Sequence, residues 1–186
     1  VLAGRLVLPV NKTEGVEATS TMQYFKDTYG LDFDLYEIEV PPGTELIGKT
    51  LNEFERPNKI RVIAAQRDPD DLRIGPGGLD RDIGIGANSV LGVMGSPAAV
   101  KTFVDKYQLV ERNDLETFTE SLAATKAGIA EVVIPPSSSL IGKSAHDVWM
   151  RKTYGLAMIA LHRDGETLRE GDDIRNMPFK AGDTLV

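Results

Sequence analysis

The chain has 186 residues, which is enough for one large or two small domains that each bury a core. It is 41% hydrophobic and 26% charged, as a soluble globular protein is, and its net charge of −7 gives no basic footprint for nucleic acid or an anionic membrane surface. The absence of cysteine excludes disulfides, thiolate metal sites and cysteine nucleophiles.

The first residues, Val1–Val10, are mostly apolar but are interrupted by Arg5 and Pro9. They are too short to span a bilayer, which needs about 20 residues. Two interpretations are open: a terminus that is disordered or packed on the surface, or the continuation of a transmembrane helix. We assign residues 1–34 to an N-terminal extension and predict a helix there from about Thr19 to Tyr29.

The next predicted element is a strand. Tyr36, Ile38 and Val40 alternate with Glu37 and Glu39, a pattern that predicts one buried and one solvent-exposed face. A short helix follows, and the later predicted elements of this region are a buried strand at Ile60–Ala65, short strands at Leu72–Ile74 and Val90–Met94, and a helix beginning at Ser96 and Pro97.

The same order of elements recurs later in the chain, because the sequence contains an internal repeat. Three segments match segments that lie 94 or 96 positions later: 37–54 with 131–148, 61–68 with 157–164, and 87–91 with 181–185. Two copies are too few for a solenoid, so we predict a duplicated domain. The fold class is α+β, and each copy follows the order β-α-β-β-β-α around a small mixed or antiparallel sheet.

The repeat sets the expected domain boundaries. The first copy should occupy residues 35–110 and the second residues 129–186, with a linker helix between them at 111–128 that Asp114 caps. The second copy stops inside its last strand and is therefore predicted to be truncated.

One segment resembles a catalytic motif. Gly43–Thr50 reads GTELIGKT and fits the phosphate-binding loop of nucleotide hydrolases. Glu45 would place a negative charge inside an anion cradle, and the second copy has Ser137 in place of the first glycine. What the copies share predicts a structural turn followed by a capping box instead. This motif comprises Leu46, Ile47, Gly48, Lys49, Thr50 and Glu53 in the first copy and Leu140, Ile141, Gly142, Lys143, Ser144 and Asp147 in the second.

A second shared feature is an Arg-Asp pair at the end of the central strand of each copy. It is either an ion pair that holds the turn or an arginine that faces an anionic ligand or a partner subunit. The candidate ligand-binding residues are Arg61, Arg67, Asp68, His162, Arg163 and Asp164. The two histidines have no clustered partners, and no serine is singled out for catalysis, so we predict no metal, no cofactor and no catalytic residue.

Several motifs resemble one known family. VPPGTELIGKTL, IRVIAAQRD and GANSVLGVMG in the first copy, and IPPSSSLIGKSA, LAMIALHRDGE and FKAGDTLV in the second, are similar to the C-terminal domain of regulators of potassium conductance, called the RCK_C or TrkA-C domain. The resemblance covers about Tyr36–Tyr107 and Ile129–Val186. The first copy departs from it at residues 86–89, where GANS stands in place of the typical A-G-D.

The resemblance implies cytosolic domains that dimerise and regulate transport through an attached membrane protein, some of them binding small ligands such as cyclic dinucleotides between subunits. A tandem pair without the usual nucleotide-binding Rossmann domain is similar to the cytosolic insert of bacterial permeases related to divalent anion/sodium symporters. The implied function is a non-catalytic ligand-sensing module at the cytoplasmic face of the bacterial inner membrane. Its implied partners are the transmembrane part of the transporter, another copy of itself or of the repeat, and a small anion or nucleotide. The alternatives are a dimerisation element without a ligand and, more remotely, a phosphate-loop nucleotide hydrolase.

Overall fold

A computed structural model describes residues 17–122, 128–169 and 172–186, with side chains from residue 23 onward. Both interpretations of Val1–Val10 concern residues outside these ranges. Within the described residues, none of the helices combines the length and hydropathy that a membrane span requires.

Helices and strands are interspersed along the described chain. The helices are α1 (Glu17–Tyr29), α2 (Leu51–Asn58), α3 (Gly75–Gly78), α4 (Pro97–Tyr107) and α5 (Met150–Tyr154). The strands are β1 (Asp34–Glu39), β2 (Ile60–Gln66), β3 (Leu72–Ile74), β4 (Val90–Gly95), β5 (Val110–Glu111), β6 (Val132–Val133), β7 (Ala160–Arg163), β8 (Glu166–Arg169) and β9 (Thr184–Leu185). α1 lies where the apolar spacing predicted a helix.

The first copy is a five-stranded antiparallel sheet in the order β3-β2-β4-β1-β5. α2 and α4 pack on one face, where the rings of Phe54 and Phe103 stack with their centroids 5.6 Å apart. Ser96 caps α4 by accepting a hydrogen bond from the amide of Ala99 at 3.3 Å. Phe54 and Phe103 are both fully buried. The apolar residues of α2 and α4 therefore face the sheet and form the core on this side.

The second copy repeats this arrangement with four strands in the order β6-β9-β7-β8, which corresponds to β1-β4-β2-β3. The pairing register is also the same. Ile38 lies opposite Leu91 in the first sheet, and Val132 lies opposite Leu185, each 94 positions later, in the second. The structure therefore confirms an α+β chain built from two tandem copies of one plan.

The helix after the first strand differs between the copies. α2 runs without interruption, whereas residues 145–149 form turns before the short α5. The second copy has two additional residues here, and they are accommodated where the amide of Met150 donates to the carbonyl of Ala145 at 3.0 Å and Trp149 adopts a left-handed conformation with φ of 50°. A two-residue insertion cannot be absorbed by a continuous helix without rotating its apolar face, so the helix is broken instead.

The segment between the copies differs from the expected linker helix. Residues 112–122 form bends and turns, and residues 123–127 lie outside the described ranges. The reason is tertiary: the carboxylate of Glu37 accepts hydrogen bonds from the amides of Thr117 and Phe118 at 2.9 and 3.2 Å, which holds these amides outside a helical pattern. Asp114 accepts through its backbone carbonyl rather than acting as a side-chain cap.

Glu37 also corrects the prediction of a solvent-exposed face on β1. Its side chain is only 1% exposed, because the linker segment covers it and Arg112 donates to it at 2.8 Å. Burial disfavours the charged carboxylate, but the hydrogen bonds from Thr117, Arg112 and Phe118 outweigh burial and lower the pKa of Glu37.

The two copies pack against each other, and the N-terminal extension packs along part of the boundary between them. A separate apolar cluster joins the extension to the second copy and consists of Phe25, Tyr29, Leu31, Phe33, Ala160 and Val186. Elsewhere Arg56 of α2 pairs with Asp173 at 2.9 Å, and Arg151 of α5 donates to the carbonyl of Leu79 at 3.3 Å. Leu79 and Asp173 occupy matching positions of the two copies, 94 residues apart. Each copy therefore contacts the other with the same helix and the same loop, as in a two-fold symmetric dimer.

Candidate functional site

The second half of the loop that resembles a phosphate-binding motif, residues 46–50, uses its backbone amides within the chain. Every amide from Leu46 to Thr50 already donates within the chain, the most distant acceptor in sequence being the carbonyl of Ile85, 2.8 Å from the amide of Gly48. A phosphate cradle depends on amides that point at the ligand, so this loop is built as a turn.

The second copy reproduces this turn bond for bond. The amide of Gly142 donates to the carbonyl of Phe179 at 2.9 Å, and both residues lie 94 positions after Gly48 and Ile85. Gly48 and Gly142 have φ of 84° and 80°, a left-handed conformation that glycine adopts without steric cost. The shared glycine is therefore explained by backbone geometry.

The helix caps that the repeat predicted are present. The amide of Thr50 donates to the carboxylate of Glu53 at 2.7 Å. In the second copy the bonds are reciprocal, because Ser144 donates to Asp147 through its amide at 2.9 Å and accepts from the amide of Asp147 at 3.2 Å. These bonds lower the pKa of Glu53 and of Asp147 by stabilising the ionised carboxylates.

The candidate arginines at the strand ends form ion pairs, but not with the aspartates that follow them. The Nε of Arg67 lies 2.6 Å from Asp71, which Arg73 also contacts at 2.8 Å. The Nε and Nη2 of Arg163 lie 2.7 and 2.6 Å from the two carboxylate oxygens of Asp183. Both carboxylates occupy the positions that an anionic ligand of these arginines would need.

Asp183 is the more buried of these two carboxylates, since its side chain is 1% exposed. Burial disfavours its charged form, yet hydrogen bonds from Arg163 and from the amide of Lys180 outweigh burial and lower its pKa. Ser89, which is also buried, holds the matching position in the first copy. The second copy therefore uses a bidentate ion pair where the first has a hydroxyl.

The other candidate residues at the strand ends take part in turns and local hydrogen bonds. Asp164 and Gly165 form the left-handed two-residue turn between β7 and β8, with φ of 54° and 83°. Asp68 accepts the amide of Asp71 through its backbone carbonyl. The Nδ1 of His162 lies 3.0 Å from the hydroxyl of Thr167.

Arg61 lies apart from the other candidates. It is at the beginning of β2, whereas Arg67 follows the end of that strand, about 20 Å away at about 3.3 Å per residue. Arg61 is 6% exposed and lines a cavity of about 200 Å³ between the copies, together with Lys59, Arg169 and Asp32. Burial, and then the charges of Arg151 and Arg175, lowers the pKa of Arg61 to about 9, so it remains charged at neutral pH.

Arg61 belongs to an inter-copy cluster of arginines that the sequence analysis did not identify. We call this group the arginine cluster, and it comprises Arg56, Arg61, Arg81, Arg151 and Arg175. Among the described residues, Glu55, Asp80 and Asp173 each place a carboxylate beside one of these arginines. One signal was available in the sequence: Arg81 and Arg175 match at a spacing of 94, and Glu55 matches Arg151 at a spacing of 96.

Two curated proteins are similar to this chain in sequence. One is the uncharacterized transporter sll0640 of Synechocystis sp., which is 24% identical over 192 residues that cover all of this chain and 30% of that protein. The other is the uncharacterized transporter YfbS of Escherichia coli, which is 37% identical over 79 residues that cover 42% of this chain and 13% of that protein. The chain therefore spans less than a third of the length of either relative.

The crystal structure of the GsuK RCK domain is 19% identical and matches 48% of this chain and 18% of its own, with a TM-score of 0.35. The TrkA-C domain model matches residues 35–107, which agrees with the extent of the first copy of the repeat. Within this chain, residues 35–107 are therefore similar to TrkA-C domains.

Proposed function

We propose that this chain is a non-catalytic regulatory module of a membrane transporter, held at the cytoplasmic face of a bacterial inner membrane. The observation that carries the proposal is the match of the TrkA-C domain model to residues 35–107, taken together with two relatives that are both named transporters and are several times longer. The transported solute is a cation such as potassium or a divalent anion.

We also propose that the module senses a small anionic ligand between its two copies. The inter-copy cavity supports this proposal, because Lys59, Arg61 and Arg169 bring basic side chains to its described lining, to which Asp32 contributes a carboxylate. Its volume of about 200 Å³ is below the range of about 300–1,000 Å³ that is common for organic ligands. The cavity therefore suits a compact anion better than a dinucleotide.

The transport proposal is tested in the full-length protein that contains this chain. Residues 35–186 are replaced by a flexible linker, and uptake of potassium, sodium and sulfate is measured over a range of cytoplasmic anion concentrations. Because the module regulates and does not conduct, we expect transport to persist while its dependence on those concentrations is lost. An identical dependence in the deletion variant contradicts the proposal.

A point variant tests the sensing part. Arg61→Gln removes one charge from the cavity, and we expect it to weaken the response of transport to the anion. Lys101→Gln is the matched control, because Lys101 makes only an exposed pair with Asp105 on α4. Equal effects of the two variants contradict sensing at the cavity, but they do not contradict the regulation of transport by the module.

A second candidate function is assembly without a ligand. The reciprocal contacts of α2 and α5 favour it, since they already join the two copies as a dimer is joined. In that case the melting temperature of the chain is the same with phosphate, nucleotides or carboxylates, because only a ligand selective for the native state raises it.

A further inference from the structure

The second copy exposes apolar side chains at positions that are buried in the first copy. Leu156 is 56% exposed, whereas Ile60, which lies 96 positions earlier, is 3% exposed. Val132 is 53% exposed, whereas Ile38, which lies 94 positions earlier, is fully buried. Equivalent points of the repeat therefore lie in opposite environments, because another part of the chain covers them only in the first copy.

The cover in the first copy is the helix α4 followed by the strand β5. Ile38 and Ile60 belong to one apolar cluster with Val100, Phe103 and Tyr107 of α4. β5 continues the cover at the edge of the sheet, where it pairs antiparallel with β1. An amphipathic helix and the strand after it thus bury the positions that stay open in the second copy.

The end of the helix before the central strand shows the same contrast. Tyr154 ends α5 and is exposed, whereas Asn58 ends α2 and is buried. The side-chain oxygen Oδ1 of Asn58 accepts a hydrogen bond from Lys106 of α4 at 3.3 Å. The cover in the first copy therefore reaches the end of this helix, where the second copy presents an exposed aromatic ring.

The second copy keeps the turn on which the cover is anchored. The hydroxyl of Thr44 accepts the amide of Leu46 at 3.3 Å and donates to the carbonyl of Tyr107, at the end of α4, at 2.5 Å. Ser138, 94 positions after Thr44, likewise accepts the amide of Leu140 at 3.2 Å. A hydroxyl donor thus stands in the place from which the first copy holds the end of its helix.

We call the surface of Val132, Ser138, Tyr154 and Leu156 the open face, and its edge is a strand that can accept another. β6 is the outermost strand in the order β6-β9-β7-β8, and its two residues, Val132 and Val133, are apolar and exposed. An unpaired edge without charged side chains is a template for a further strand. The open face therefore fits a helix that continues into a strand.

We propose that the open face binds an amphipathic helix followed by a short antiparallel strand, of the kind that α4 and β5 form in the first copy. The occupant is a segment of the parent transporter outside these 186 residues, and the repeat spacing of 94 moves residues 97–111 to positions 191–205 in this numbering. Both relatives are long enough to contain such a segment, since the matched regions are 30% and 13% of them. This inference rests on the proposed membership in a longer transporter, and it adds a docking surface and its occupant.

The test is cysteine labelling, because none of the 186 residues is a cysteine. Leu156→Cys is introduced into the 186-residue chain and into the full-length parent protein. Labelling by a maleimide is followed in the same detergent by mass spectrometry of the peptide that contains position 156. We expect labelling to be at least about tenfold slower in the full-length protein, since a covered side chain reacts only after local opening.

Two further variants make the measurement specific. Ile141→Cys is the matched control, because Ile141 is exposed and so is Ile47 at the matching position of the first copy, where α4 is in place. It should react at the same rate in both proteins. Tyr154→Cys should be protected in the full-length protein as Leu156→Cys is, and it remains informative should Leu156→Cys not fold. Equal rates in the two proteins at positions 154 and 156 overturn the inference.

Other occupants of the open face give different results. Removal of positions 191–205 from the full-length protein should restore fast labelling at position 156 and leave the rate of Ile141→Cys unchanged. Protection that survives this removal shows that another part of the transporter covers the face, and it overturns the inference. Protection that appears in the 186-residue chain as its concentration rises shows a second copy on this face and also overturns it.

Failure of docking is distinct from failure of the proposed function. An unprotected open face in the full-length protein contradicts docking alone. An identical dependence of transport on anion concentration after deletion of residues 35–186 contradicts the proposed function, whatever the labelling rates are.

Discussion

The burial of Glu37 under the linker segment leads to a quantitative prediction. Its carboxylate accepts hydrogen bonds from Arg112 and from the amides of Thr117 and Phe118 at 2.8 to 3.2 Å. Glu37→Gln removes the charge and turns an amide NH₂ toward one of these donors. Hydrogen bonds to charged groups contribute about 1.5–3 kcal/mol each, and the glutamine oxygen retains part of them, so we expect a loss of about 2–4 kcal/mol in the free energy of unfolding. This corresponds to a fall of roughly 5–12 °C in melting temperature for a chain of this size.

Urea unfolding followed by circular dichroism measures the loss, and Glu39→Gln is the control. Glu39 lies on the same strand and binds the same arginine at 3.0 Å, but its side chain is 39% exposed, so we expect a change within about 1 kcal/mol. Amide hydrogen exchange gives a second readout, because Thr117 and Phe118 should lose protection only in the Glu37 variant. Equal destabilisation by the two substitutions refutes the reasoning.

The pH dependence of this effect has a definite sign. The pKa of Glu37 is lowered in the folded state, so its contribution is complete above the unfolded pKa of about 4.3 and is lost as the pH falls through the folded value. The difference between the parent chain and Glu37→Gln should therefore shrink in acid. A difference that grows as the pH falls contradicts this account.

Three further predictions concern the shared motifs. Gly48→Ala and Gly142→Ala should each cost about 1–2 kcal/mol in urea unfolding, because both glycines are left-handed, although an added Cβ meets no atom within 4 Å; a neutral effect would contradict the role of the turn. Asp183→Asn should cost about 2–4 kcal/mol at neutral pH, less as the pH falls through the lowered folded pKa, and a pH-independent cost would contradict the Arg163 pair. Lys49→Ala should leave the melting temperature unchanged, and neither form should hydrolyse ATP or GTP; turnover that the substitution abolishes would restore the phosphate-loop interpretation.

Local patterns account for the features that the sequence predicted. The capping boxes at Thr50 and Ser144 join residues that are three positions apart, and the repeat shows them twice. Periodicity likewise predicted the strands and the apolar face of α4, because burial of one face follows directly from the spacing of apolar residues.

The errors have a common origin in distant contacts. A strand with alternating charges suggested that Glu37 was solvated, but residues 80 and 81 positions later cover it. The same contact replaces the expected linker helix with turns. Arg163 likewise pairs with Asp183, 20 positions away, and not with the adjacent aspartate.

By itself the sequence determined the duplication, the α+β plan of each copy and the resemblance that the match at residues 35–107 confirms. Only the tertiary structure decided which charges meet between the copies, where Arg56 and Asp173 are 117 positions apart. The physical reason is that secondary structure depends on short-range spacing, whereas the neutralisation of a buried charge depends on whichever groups the packed copies bring within hydrogen-bond distance.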